Sequence, residues 1–216
     1  MELREYTCLA MAAEHETVVK KSRFICSLIP VADEQQAAET LLAIKKKHYN
    51  ASHNCSAMIL KPDRSFEKGS DDGEPQGTAG LPMLEVLRHS GLTNILAVVT
   101  RYFGGTLLGA GGLVRAYGAS VSETLKQAEI TTMIPAVELG FSIEYADYSK
   151  LLGIASEYGA QVKAEFSDKV SARMVLQQAF FEAAGKKVQE AFFGTDVMQR
   201  LGECYIERTE KFLNKL

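Results

Sequence analysis

The sequence lacks the features of a membrane or secreted protein. Its longest purely aliphatic run, residues 95–99, is far shorter than the roughly 20 apolar residues that a membrane-spanning helix needs. The polar and acidic start, residues 1–6, has neither the basic residues nor the apolar stretch of a signal peptide. We therefore expect a cytoplasmic protein that makes no membrane contact.

Cysteine is scarce, and its positions are scattered. Cys8, Cys26, Cys55 and Cys204 form no Cys-x-x-Cys pair. This spacing favours reduced thiols over a disulfide framework or a zinc site. We interpret the four side chains as small core residues and predict no metal site.

A strong excess of either charge is also missing. The 24 Lys and Arg residues and the 27 Asp and Glu residues leave a net charge of -3. Such a molecule does not attract nucleic acid through its overall field, so any contact with a polyanion has to be made by a local surface.

The length of 216 residues fits two domains better than one. A helix predicted over residues 108–127 is followed by Pro135, which precedes the next apolar run and indicates a boundary. We predict an N-terminal domain over residues 1–131 and a C-terminal domain over residues 132–216.

Strand and helix patterns alternate in the first domain, which predicts an α/β arrangement. Helices are expected after the capping-box pair Asp33 and Gln36, and over residues 81–90 and 108–127. A polar stretch, residues 61–80, is predicted to be a long loop, and long loops commonly bind something. The predicted strands cover residues 6–10, 23–31, 55–60 and 94–100.

The second domain repeats a simple order of elements. Helices are predicted over residues 148–158 and 181–193, with Asp147 as the cap of the first. Strands are predicted over residues 136–144, 161–166, 170–177 and 203–207. This βαββαβ order is the ferredoxin-like pattern, so the fold class is α+β with two domains.

The most unusual segment is glycine-rich and spans residues 101–118 (RYFGGTLLGAGGLVRAYG). It follows a buried strand and opens a helix, where bare backbone N–H groups and the positive end of the helix dipole favour an anion. The glycine spacing matches neither the dinucleotide fingerprint nor a P-loop. Close packing of helix and strand explains the glycines equally well.

Two arginines favour the anion interpretation, because guanidinium groups beside bare backbone donors suit phosphate recognition. We expect both to lie exposed to a polyanionic partner. The predicted phosphate- or RNA-binding residues are Arg101, Gly104, Gly105, Gly109, Gly111, Gly112, Arg115 and Lys126.

A second candidate is an acidic loop with three carboxylates in four residues. Carboxylates so close together can hold a hard cation or serve as acid and base, but the calcium-loop pattern is missing and turn formation explains the composition. His53 and Cys55 face the same side of a strand, although no third group that would orient such a pair is evident. The loop keeps an unassigned role, and its residues are Ser70, Asp71, Asp72 and Glu74, together with His53.

Residues 70–84 (SDDGEPQGTAGLPML) and 101–118 resemble the paired signatures of the YigZ/IMPACT family, with similar spacing between them. The resemblance implies that the N-terminal domain has the fold of the second domain of small-subunit ribosomal protein five, with a left-handed βαβ crossover. It implies a C-terminal domain similar to domain V of elongation factor G.

The resemblance and the glycine-rich segment together favour a non-catalytic RNA- or ribosome-associated binding protein, a translation regulator, without a cofactor. Two alternatives stay open. One is a small-molecule or nucleotide-phosphate-binding enzyme that uses the glycine-rich turn and the acidic loop. The other is a protein–protein adaptor.

Overall fold

The computed structural model describes residues 3–208 of the chain. The chain divides into two compact units. The first unit spans Tyr6–Thr132, and the second holds the chain from Met133 onward together with the residues before Tyr6. The outer ends of the two predicted domains, residues 1–2 and 209–216, lie outside the described residues.

The first unit is built on a five-stranded sheet with three helices. Its elements are β1 (Tyr6–Leu9), β2 (Ala13–Val19), β3 (Ser22–Pro30), α1 (Glu34–Lys47), β4 (His53–Leu60), β5 (Phe66–Ser70), α2 (Gly80–Ser90), β6 (Ile95–Tyr102) and α3 (Ala110–Leu125). The strands of the sheet run in the order β2-β3-β6-β4-β5, and every neighbouring pair is antiparallel. Strands β3 and β4 are therefore parallel to each other, with β6 between them and α1 connecting them. The left-handed sense of this crossover stays a prediction.

The central strands of this sheet are buried on both faces. Side chains alternate along β6, so Ile95 and Val99 belong to the core that includes residues of α2 and α3, whereas Leu96 and Val98 join Ala37 of α1 in the core on the other face. Burial on both faces explains why the predicted strands appear in the sequence as continuous apolar runs.

Two edge strands of this sheet were not predicted. β2 alternates only between exposed and half-buried residues, and β5 lies inside the stretch predicted to be a loop, with four of its five residues exposed. Edge strands cover little apolar surface, so their sequences carry a weak periodic signal. The helix α1 is capped as predicted, because the Asp33 side chain accepts a hydrogen bond from the N–H of Gln36.

The second unit contains the predicted βαββαβ order. Its elements are β7 (Ile130–Ile143), α4 (Tyr148–Glu157), β8 (Gln161–Phe166), β9 (Val170–Gln177), α5 (Phe181–Ala191) and β10 (Met198–Glu207). These strands pair antiparallel in the order β10-β7-β9-β8, and one face of the sheet packs on the two helices. Asp147 does not cap α4 with its side chain, because its carboxylate pairs with Lys150 instead.

No helix between residues 3 and 208 combines the length and apolarity that crossing a lipid bilayer would demand.

Candidate functional site

Three segments of the first unit surround a cavity of about 500 Å³, which we call the Glu74 cavity. They are the start of β4, the turn after β5 and the glycine-rich segment that leads into α3. The structure thus brings the two segments singled out in the sequence onto one site. Its lining includes His53, Glu74, Arg101, Phe103, Leu107 and Gly109.

The floor of the cavity holds a buried ion pair. Nη1 of Arg101 donates to Oε1 of Glu74 at 2.7 Å, and their side chains are only 6% and 3% exposed. The hydroxyl of Tyr117, on α3, donates to the same carboxylate oxygen at 2.7 Å. Two donors from different elements therefore fix the orientation of this carboxylate.

The expectation that Arg101 lies exposed beside the glycine backbone is wrong. Its guanidinium group lies 5.5 Å from the ring centre of Phe24 and 5.6 Å from that of Phe103. Arg101 is buried. A charge at the end of a buried strand is costly unless a counter-charge accompanies it, and Glu74 supplies that counter-charge. Nε of Arg101 has no acceptor among residues 3–208.

Asp71 closes the acidic loop. Its carboxylate accepts hydrogen bonds from the backbone N–H groups of Gly77, Ala79 and Gly80, at 2.8, 3.0 and 2.8 Å, and so satisfies donors at the start of α2. Burial alone would raise the pKa of Asp71, but the three hydrogen bonds outweigh burial and lower that pKa below its ordinary value.

Asp72 ties the loop to two other elements. One carboxylate oxygen pairs with Nζ of Lys45 at 2.6 Å, and the other accepts from the backbone N–H of Asn54 at 2.7 Å. Ser70 pairs with Ser56 in the ladder between β5 and β4. The acidic residues thus organise the loop, and no group of three metal-ligating side chains forms within the part of the chain that the structure describes.

His53 begins β4 and presents one ring nitrogen toward Glu74. Its Nδ1 lies 2.9 Å from the carbonyl oxygen of Asp72. A carbonyl oxygen can only accept, so Nδ1 carries a proton and donates it to this bond, which leaves Nε2 to face Glu74. Nε2 lies 3.9 Å from Oε2 of Glu74.

Cys55 is unsuited to nucleophilic chemistry. Its thiol donates to the carbonyl oxygen of Asp71 at 2.9 Å, and burial raises its pKa to about 12. A thiol with this pKa carries almost no thiolate at neutral pH. Cys55 therefore does not supply a thiolate nucleophile beside His53.

The glycines of the segment have different roles. An ideal Cβ on Gly104 would lie 2.0 Å from the carbonyl carbon of Lys21, and the Gly104 N–H donates to Oγ of Ser22 at 3.1 Å. Close packing therefore explains this glycine, and its N–H is not free to contact an anion. Gly105 adopts a φ of 78°, in the left-handed region that glycine enters without strain.

The start of α3 is open. Gly109, at the N-cap with a φ of 72°, offers no side chain to cap the helix. Within residues 3–208, the N–H groups of Ala110, Gly111 and Gly112 have no acceptor, whereas that of Leu113 donates to the carbonyl of Gly109. A Cβ on Gly111 would contact nothing within 4 Å. These donors meet the geometric condition for an anion site.

Only one of the predicted cations accompanies this helix start. Arg115 is exposed and has no side-chain partner in the described part of the chain. Lys126 follows the last turn of α3 and pairs with Glu123 at 2.7 Å. A rise of about 1.5 Å per residue puts Lys126 roughly 24 Å from Ala110, so it belongs to a different surface.

Sequence reasoning missed three residues of the site. Tyr117 lies in the helix predicted over residues 108–127 without a predicted role in the site, although its hydroxyl bonds Glu74. Phe103 is 49% exposed and Leu107 is 82% exposed, and both line the cavity. Large apolar side chains inside a glycine-rich turn were the available signal.

Known proteins resemble this chain in sequence and in fold. Residues 20–125 match the sequence profile of the Impact N-terminal domain family, and this range contains the residues that line the Glu74 cavity. YigZ of Escherichia coli is 38% identical over 164 residues, which cover 74% of this chain and 80% of YigZ. The chain therefore belongs to the IMPACT family, and the predicted family is confirmed.

Two further similarities define the extent of the relationship. YvyE of Bacillus subtilis is 58% identical over 123 residues, and the match covers 57% of each protein. A solved structure described as a hypothetical protein is 32% identical, with a TM-score of 0.67 over 93% of this chain and 98% of the other. The mixed α/β fold is thus shared over nearly the whole length.

Proposed function

We propose that this chain is a non-catalytic, cytoplasmic binding protein that docks on structured RNA or on a ribosomal surface and regulates translation. The observation that carries the proposal is the open start of α3, where three backbone donors lie beside an exposed arginine. Backbone donors and arginine are the groups that position proteins on phosphates.

Gly111 and Arg115 are four residues apart and therefore lie on the same face of α3. A phosphate at the first turn can accept from the backbone N–H groups and from the guanidinium together. The missing Cβ at Gly111 lets a bulky sugar-phosphate chain approach the backbone closely.

Most polar groups of the site make contacts within the protein itself, and this supports binding over catalysis. Asp71 and Asp72 hold the loop, Glu74 neutralises Arg101, and the thiol of Cys55 stays protonated. A catalytic acid, base or nucleophile has to be available to its substrate, and these groups are largely committed to the protein itself.

The second unit contributes a second surface in this proposal. One face of its sheet borders a cavity of about 780 Å³, and Lys163, Ser171 and Arg173 are exposed there. We propose that the unit has a ferredoxin-like fold similar to domain V of elongation factor G, and that the first unit resembles the second domain of small-subunit ribosomal protein five. Polar side chains on an open sheet suit contact with an RNA backbone.

The test is a charge reversal at Arg115. Arg115→Glu should weaken binding to ribosomes or structured RNA about tenfold or more. The slope of log affinity against log salt concentration should become shallower by about one, the value expected for the loss of one phosphate contact. Lys46→Glu, on the exposed side of α1, makes the same change of charge away from the site and is the matched control. Equal binding by the two variants in filter assays and ribosome sedimentation would remove the proposal.

A small-molecule or nucleotide-phosphate-binding enzyme is the second candidate, because the Glu74 cavity has the volume of a ligand site and presents His53 and Glu74. A thermal-shift screen distinguishes it: a nucleotide at 100 times its Kd should stabilise the first unit by about 2.7 kcal/mol.

An adaptor that binds other proteins is the third candidate. It is supported by the exposed Phe103 and Leu107 and by the near-neutral charge. Pull-down after nuclease treatment tests it, because an RNA-dependent association is lost and a direct protein contact survives.

A further inference from the structure

The Glu74 cavity places a carboxylate oxygen and an imidazole nitrogen side by side. Oε1 of Glu74 is taken by Arg101 and Tyr117, which turns Oε2 toward the cavity. No donor among residues 3–208 reaches Oε2 within hydrogen-bond distance; its near neighbour is Nε2 of His53, at 3.9 Å. Nδ1 of that ring donates to the carbonyl of Asp72, so Nε2 is the ring nitrogen left to face the cavity.

A carboxylate oxygen beside an imidazole nitrogen suits a partner with two adjacent hydroxyl groups. The Glu74 side chain is 3% exposed, and Oε2 is not one of the fully buried atoms without a partner, so this oxygen keeps contact with the cavity. A vicinal diol supplies two hydroxyl groups on adjacent carbon atoms. One hydroxyl can donate to Glu74, and the other can form a hydrogen bond with Nε2 of His53.

The rest of the cavity suits the other parts of a nucleotide. The open N–H groups of Ala110 and Gly111 begin α3 at the cavity edge and favour a phosphate. Phe103 and Leu107 are exposed apolar groups on its lining, and an aromatic ring is a surface on which any base can stack. The volume of about 500 Å³ lies in the range of small-ligand sites.

We propose that the Glu74 cavity binds the 3′-terminal ribonucleotide of an RNA, with its 2′,3′-diol on Glu74 and His53, its phosphate at the start of α3 and its base against Phe103. This inference rests on the proposed RNA-binding function and deepens it. Recognition of the diol distinguishes an RNA end from DNA and from an RNA whose 3′ end is phosphorylated, because neither of these carries both hydroxyls.

Arg101 and Tyr117 are positioning residues in this arrangement. They hold Glu74 through one oxygen and leave the other for the diol. Arg101 also lies against the ring of Phe103 on the cavity lining. Neither residue needs to touch the nucleotide.

The experiment measures fluorescence anisotropy with one short RNA labelled at its 5′ end and prepared with different 3′ ends. The ends are the free diol, the 3′-deoxy sugar, the 3′-phosphate and the periodate-oxidised dialdehyde. The wild-type protein should bind the diol at least tenfold more tightly than each of the others, since a hydrogen bond to a charged or buried group is worth about that factor.

The variants His53→Ala and Arg115→Glu separate the diol from the phosphate. His53→Ala removes the imidazole that bonds one hydroxyl, so the preference for the diol over the 3′-deoxy end should shrink to about twofold or less, while His89→Ala, on an exposed helix end, should keep it. Arg115→Glu should weaken all four RNAs alike and leave the preference unchanged.

Each contrary result refutes a defined part of the proposal. RNA that binds without regard to its 3′ end refutes the diol site and leaves the proposed RNA-binding function standing. A preference that survives in His53→Ala refutes the assignment to this cavity. Adenosine 5′-monophosphate that binds as tightly as the RNA refutes an RNA end and favours a small-molecule site. An absence of all RNA binding refutes the proposed function itself.

Discussion

Replacement of Arg101 by methionine tests how the floor of the Glu74 cavity is held. Methionine keeps much of the side-chain volume but removes the charge, so within residues 3–208 Glu74 would retain only the hydroxyl of Tyr117 as a hydrogen-bond donor, with His53 farther away at 3.9 Å. Both members of the ion pair are almost completely buried. Breaking such a pair from one side costs about 3–5 kcal/mol because an uncompensated charge stays behind.

The loss should be visible as an unfolding transition of the first unit at lower denaturant and lower temperature. For a unit of this size, a loss of 3–5 kcal/mol lowers Tm by roughly 10–20 °C. The chain has no tryptophan, so tyrosine fluorescence and far-ultraviolet circular dichroism during urea titration are suitable probes. Arg115→Met, on the exposed face of α3, is the matched control and should change stability by no more than about 0.5 kcal/mol.

A second variant separates charge burial from packing. Glu74→Gln removes the negative charge and still accepts from Tyr117, so Arg101→Met combined with Glu74→Gln should recover much of the stability. If the double variant is as unstable as Arg101→Met, the loss comes from contacts with Phe24 and Phe103. If Arg101→Met itself lies within about 1 kcal/mol of the wild type, the reasoning about the buried pair is refuted.

Three further predictions concern stability and reactivity. Because the pKa of Asp71 is lowered, its ionised form stabilises the fold at pH values above the ordinary carboxyl pKa, and this stability is lost as pH falls through the lowered pKa. Asp71→Asn should therefore lower the free energy of unfolding by roughly 1.5–3 kcal/mol at pH 7. In urea titrations across pH, the variant should lose less stability than the wild type when the pH is made acidic. Gly104→Ala should destabilise the first unit by several kcal/mol because the added Cβ meets backbone, whereas Gly111→Ala meets nothing and should be neutral or slightly stabilising in thermal melts. The thiol of Cys55 should resist iodoacetamide at pH 8 until the protein unfolds, followed by peptide mass spectrometry.

Each of these predictions has a contrary result. Exposed Asp168, changed to Asn, serves as the control for Asp71, and equal pH profiles for the two variants would exclude a stabilising role for the loop carboxylate. Equal melting temperatures for Gly104→Ala and Gly111→Ala would mean that the backbone at Gly104 can move. Rapid alkylation of native Cys55 would show that the thiol is accessible and ionised.

Local sequence signals predicted most of the elements that make up the fold. The helix expected over residues 108–127 is Ala110–Leu125, and the hairpin strands of the second unit occupy the predicted residues 161–166 and 170–177. Apolar periodicity is a local property, so it indicates these elements without knowledge of the tertiary structure. β5 was missed because its residues are mostly exposed and only its backbone pairing with β4 defines it.

The site was only partly predictable, as Arg101 and Glu74 illustrate. Both residues were singled out, but in two separate segments with two separate roles. Their sequence separation of 27 residues is bridged by the packing of the acidic loop against the sheet, which turns a predicted surface cation into a buried ion pair. Gly104 shows the same limit, since an added Cβ would clash with the backbone of Lys21, which lies in the turn between β2 and β3, far away in the sequence.

The sequence by itself determined the alternation of strands and helices, the family through two glycine- and acid-containing signatures, and the open helix start that follows from a glycine N-cap. Those features depend on neighbours along the chain. The tertiary structure alone decided which charges meet, which glycine N–H groups stay free, and that His53 faces Glu74. Such outcomes depend on distances between residues far apart in sequence, and these distances exist only after the sheet has formed and buried its charges in pairs.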